Sequence, residues 1–149
     1  MATKQSKYFK GNARTPQAVS HKAGDAVTIL ETHVFTEDVG TSDVLELIQW
    51  PVGMKLVSFE WNTENISTTT LNFGIMSGTP GEVTATRTCG TEIAATAVAG
   101  TQAATTLVAL QAIAVPVSGE NRSIGFVPTA AAITAGATKK LHFRATFVA

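Results

Sequence analysis

Lys140-Leu141-His142-Phe143-Arg144-Ala145-Thr146-Phe147-Val148-Ala149 alternates between apolar and polar residues almost without fault. Leu141, Phe143, Ala145 and Phe147 fall on one side, and Lys140, His142, Arg144 and Thr146 on the other. Successive strand side chains point to opposite faces, so the pattern predicts a half-buried strand over Lys139–Val148. The same reading applies to Lys55–Trp61, where Val57, Phe59 and Trp61 oppose Lys55, Ser58 and Glu60. It returns at Leu71–Ile75 and Ile124–Phe126.

Working outward, Ala26–Phe35 is rich in β-branched and apolar residues and predicts another strand. Val44–Trp50 is a further strand, ended by Pro51, which has no N–H to give a ladder. Ser77-Gly78-Thr79-Pro80-Gly81 and Gly119-Glu120-Asn121 are turns, and Pro128 halts a strand over Arg122–Val127. Alanine favours a helix over Ala94–Ala114, but Thr96, Thr101, Thr105, Thr106 and Gly100 oppose it. That region therefore reads as a loop, at most one helical turn, and then a strand over Thr105–Val115. Short strands at regular spacing with Gly/Pro punctuation predict an all-β chain, an antiparallel β-sandwich of jelly-roll-like type.

Length suits one domain with a genuine core, since the chain has 149 residues. Charged residues make up only 15%, and the formal net charge is zero. Threonine (23) and alanine (22) dominate, and threonine keeps a sheet face polar without charging it. The charge is nevertheless segregated. Residues 1–24 hold Lys4, Lys7, Lys10, Arg14 and Lys22 and no acid, whereas residues 25–82 hold nine acids against Lys55. The reading divides the chain into an extended basic N-terminal arm, residues 1–24, and a β-sandwich domain, residues 25–149. Tyr8 and Phe9 on that arm suit an anchor that orders on docking.

Chemistry is hard to find. Cys89 is the sole cysteine, so no internal disulfide can form, and it reads as a structural thiol. His21, His33 and His142 are scattered without metal-ligand spacing. Glu37, Asp38 and Asp43 surround Gly40 in a loop with the oxygen ligands calcium uses, but without EF-hand spacing. Glu31, Glu46 and Glu60 lie on predicted strands and are expected on the solvated face, which argues against a paired-carboxylate hydrolase. No nucleophile elbow or phosphate loop is present, so no catalytic, cofactor or metal residues are assigned and no enzyme is expected. The arm is too sparse a basic footprint for nucleic acid. The uncharged run Ile93–Gly119 has too few large apolar side chains for a membrane span, and the first 24 residues lack the apolar core of a leader.

Leu71-Asn72-Phe73-Gly74-Ile75-Met76-Ser77-Gly78-Thr79 resembles a strand-and-turn motif of small structural proteins of tailed bacteriophages. So does Asn121-Arg122-Ser123-Ile124-Gly125-Phe126-Val127, followed by an Ala/Thr/Gly spacer and the strand Leu141–Phe147. The resemblance covers roughly residues 55–149 and is to capsid decoration, or cement, proteins. It implies a β-rich virion protein, made in the host cytoplasm and seated on the outer capsid surface. Its partners would be the major capsid protein and copies of itself, often as a homotrimer. The arm lies outside the resemblance. Its residues Lys4, Lys7, Tyr8, Phe9, Lys10 and Arg14 are the expected interface residues. The rival reading is a carbohydrate-binding or host-attachment module, which needs exposed aromatics; Trp61 is predicted to be buried.

Overall fold

The computed structural model describes residues 2–6, 26–66, 69–99, 103–105 and 120–149. Nine strands form among them: β1 (Thr3–Gln5), β2 (Ala26–Val34), β3 (Val44–Trp50), β4 (Lys55–Glu64), β5 (Thr70–Ile75), β6 (Ala94–Val98), β7 (Ala103–Thr105), β8 (Arg122–Pro128) and β9 (Lys140–Val148). They make two sheets, ordered β1-β3-β8-β5-β6 and β2-β9-β4-β7. Every neighbouring pair from β2 to β9 is antiparallel. Two four-stranded layers in this order are the two interlocked Greek keys of a jelly roll. The fold is thus the all-β sandwich that the alternation predicts, with β1 added parallel to the edge of one sheet.

The core lies between the sheets. From β9, Leu141, Phe143, Ala145 and Phe147 enter it wholly buried. They meet an aromatic chain in which Phe59, Phe73 and Phe126 follow one another at 5.3 and 5.8 Å between ring centroids. Trp61 joins it against Phe73 at 5.1 Å, and Trp50 lies 5.7 Å from Phe147. Tilted rings at such separations add about 0.5–1.5 kcal/mol per pair beyond the area they bury.

Three local readings are corrected. In β4 the register shifts between Leu56 and Ser58, so Leu56 enters the core and Val57 faces out, 38% exposed. One extra residue in a bulge reverses the alternation on either side of it, which is why a strict period of two misplaced Val57. Ala94–Val98, expected as loop or helical turn, is β6, its chain paired to β5. Tertiary pairing there overrides the alanine propensity. Ala103–Thr105 pairs with β4, so a strand begins before the predicted Thr105, whose continuation from residue 106 lies outside the described residues.

The start of the chain also differs from a free arm. Thr3, Lys4 and Gln5 pair with Val44, Leu45 and Glu46, so these residues belong to the sandwich. Residues 7–24 lie outside the described residues.

Candidate functional site

The two outer faces of the sandwich differ. On the four-stranded sheet the outward row is polar and wet. Thr28 meets Thr146 at 3.2 Å, Arg144 pairs with Glu60 at 2.5 Å, and His142 bonds Thr32 through Nδ1 at 2.8 Å. Glu64 stands 3.1 Å from His142 and 3.4 Å from Lys140. The bond to His142 leads in holding the Glu64 carboxyl below its ordinary range. Leu30, 73% exposed, projects from the same face. Exposed ion pairs of this kind contribute little to stability.

The outer face of the five-stranded sheet is covered instead. The segment between β5 and β6, residues 76–93, folds back over it. Gly74 and Gly125 are register partners there, and neither has room for a Cβ: one on Gly74 would strike the Gly90 backbone, one on Gly125 the Met76 sulfur and the Leu45 carbonyl. Two glycines side by side thus form the slot into which the covering segment fits. Backbone bonds hold it down, with Met76 N donating to Ser123 O at 2.9 Å and Gly90 N to Ile75 O at 3.0 Å, while Ser77 N donates to Thr88 O at 2.9 Å within the segment.

Beneath this cover lies Glu46 of β3, met by Arg87 from the covering segment itself, with side chains 0% and 1% exposed. Arg87 Nη2 donates to Glu46 Oε1 at 2.8 Å and to Ser123 Oγ at 3.0 Å. Its Nη1 donates to Glu82 O at 3.0 Å and its Nε to Ser77 O at 2.7 Å. Gly81 N adds a donor to both Glu46 oxygens, at 3.3 and 3.1 Å. Charges out of water persist only when matched like this. Glu46 is therefore buried rather than solvated, a correction to the surface placement expected for it. A signal was available: in Val44-Leu45-Glu46-Leu47-Ile48 the acid is flanked by apolar residues, as in a strand covered on both faces.

The remaining candidates separate rather than converge. Glu31 is opposite core-facing Phe143 while Glu60 is opposite outward Arg144, so they occupy different faces of one sheet, with Glu46 on the other sheet. In the acidic loop each carboxylate has its own partner. Asp43 accepts from Gly40 N and Ala2 N at 2.9 Å each, Asp38 from Ala135 N at 2.7 Å, and Glu37 faces Lys4 at 3.5 Å. The Gly40 amide leads in holding the Asp43 carboxyl below its usual range. Among the described residues no three His, Cys, Asp or Glu side chains gather as a metal would require. Cys89 is pushed up to about 12, chiefly by burial, which suppresses the reactive thiolate. Trp50 and Trp61 are both buried, so neither offers a sugar-stacking surface.

Of the expected interface residues, Lys4 is in β1, with its amine 3.5 Å from Glu37. Lys7, Tyr8, Phe9, Lys10 and Arg14 lie outside the described residues, as does His21. No helix among the described residues is long and apolar enough to cross a membrane.

Against this geometry, solved structures give a consistent comparison. The chain matches one in "Capsid of Ralstonia phage GP4" with TM-score 0.83 and 27% identity, over 99% of this chain and 97% of that one. Its structural neighbours are phage capsid proteins. A second, in "Cyanophage Pam1 capsid asymmetric unit", has TM-score 0.52 and 18% identity, over 91% of this chain and 93% of that one, and speaks for the fold alone. No protein-family model and no curated protein matches the chain.

Proposed function

We propose that this chain is a virion structural protein that binds the outer surface of a phage capsid and stabilises the shell by bridging capsomers. The observation that carries the reading is the end-to-end match to a chain of the Ralstonia phage GP4 capsid, with nearly the whole of both chains superposed. The distribution of side chains supports it. Among the described residues, Arg87 and Glu46 form a buried ion pair and Asp43 and Asp38 cap backbone amides, which suits a rigid block placed in a lattice.

The mechanism is one of summed contacts. A subunit that touches two capsomers must lose both sets of contacts before the shell can open, and linked sites reach an avidity that neither has alone. The major capsid protein is the proposed partner, with further contacts between copies of the chain in a homotrimer. Lys7, Tyr8, Phe9, Lys10 and Arg14 are the proposed tether, with Lys4 at its base.

The test is cosedimentation with phage heads that lack the protein. Because Thr3–Gln5 is part of the sheet, the variant leaves β1 intact and replaces Lys7, Tyr8, Phe9, Lys10 and Arg14 together by serine. Native protein saturating the heads while the variant loses at least about tenfold in affinity supports the reading. Native protein that fails to sediment with heads overturns it, and equal occupancy removes the tether from it.

A further inference from the structure

We infer that β1 and the covering segment 76–93 are two halves of one clasp closed over Glu46, so that the hold of the N-terminal strand sets the order of the segment. The contacts run in a closed circuit. β1 is hydrogen-bonded to the edge of β3, with Val44 N donating to Ala2 O at 2.9 Å and Ser6 N to Glu46 O at 2.8 Å. From β1, two side chains reach past β3 to the covering segment: Thr3 Oγ1 donates to Thr84 O at 2.6 Å, and Gln5 Nε2 to Gly81 O at 2.8 Å. Gly81 then donates its own N–H to Glu46, the register partner of Gln5. Arg87 closes the circuit by holding Glu46, Ser77 and Glu82 together.

One residue, Gly81, thus has its carbonyl tied to β1 and its amide tied to the buried acid. Loss of β1 removes both side-chain ties and opens Glu46 to water from the strand edge. The buried ion pair then loses the dry surroundings that make it strong, and the segment loses its anchor. The tip of that segment presents Val83, 66% exposed, so whatever draws the N-terminal strand away also alters this surface. The coupling is a property of the isolated chain and goes beyond the proposed virion role, whose failure would leave it standing.

The experiment is amide hydrogen exchange on the full-length protein carrying Thr3→Val and Gln5→Leu, substitutions that keep the strand and delete its two side-chain donors. Exchange at Gly81 and Glu82 is expected to quicken at least about tenfold while the β4–β9 amides stay unchanged. Coupling is reciprocal, so Glu46→Gln is expected to quicken exchange at Ser6, whose amide bonds the β3 edge. Unchanged protection at Gly81 in the first variant overturns the clasp. So does acceleration of the β4–β9 amides in step with it, which reports loss of the whole fold instead of a local release.

Discussion

Arg87 reaches across the outer face of the five-stranded sheet to Glu46, Nη2 to Oε1 at 2.8 Å, and the two side chains are almost wholly out of water. Forty-one residues separate them in the chain, so this pair fastens a long excursion to the sheet on which it folds. Removing one partner leaves the other charge buried and unmatched. Arg87→Ala is expected to destabilise the protein by about 3–5 kcal/mol, measured by urea denaturation, because that is the usual cost of orphaning a buried ion. Arg144→Ala, which breaks the exposed pair with Glu60, is expected to cost less than about 1 kcal/mol. Equal losses would contradict the division between a covered and a wet face.

Gly125 admits no Cβ because the Leu45 carbonyl and the Met76 sulfur already occupy its space. Gly125→Ala is expected to lower stability by about 1–3 kcal/mol through forced displacement of the covering segment. Gly53, where a Cβ would meet nothing but φ is +76°, is the contrasting case. There the cost of alanine is backbone strain alone, of order 1 kcal/mol. Thermal denaturation of the two variants separates crowding from strain.

Cys89, with its thiol pushed up to about 12 and its chain bridged to Met76, is expected to be inert in the native state. A soluble disulfide reagent at pH 8 should label it only as fast as the covering segment opens, then at the rate of a free thiol in denaturant. Rapid native labelling would show that residues 76–93 are not held against the sheet.

Asp43 ties the acidic loop to the start of the chain by accepting from Gly40 N and Ala2 N. Its folded carboxyl titrates below the ordinary value of 3.8, with the Gly40 amide as first cause. Its contribution to stability is therefore complete above the unfolded value and is lost as pH falls through the folded one. Asp43→Asn is expected to flatten the acid limb of stability as pH falls below the ordinary carboxyl value of 3.8. An acid limb as steep as that of the native protein would remove Asp43 from the account.

Most of the sandwich was legible because its strands are half-buried, and a half-buried strand records its orientation in every second residue. Lys140–Val148 illustrates this: no bulge interrupts its pairing with β2, and every predicted inward residue is inward. Legibility failed where the backbone departs from period two. The bulges at Leu56/Ser58 and Glu46/Ile48 each shift the facing, and nothing in the side chains announces them. It failed again at Ala94–Val98, where small residues carry little pattern and pairing with β5 decides. The apolar neighbours of Glu46 hint at its burial, but its partner Arg87 lies far along the chain, and local reading has no access to such a partner. β1 was hidden for a different cause, since three residues are too few to show a period.

The most direct test of the central proposal is an electron cryomicroscopy reconstruction of heads assembled with this protein. The account predicts jelly-roll density on the outside of the shell, each subunit touching two neighbouring capsomers, with density continuing from β1 along the capsid surface. Heads that carry no such density, or a subunit seated on a single capsomer without a bridging contact, would contradict it.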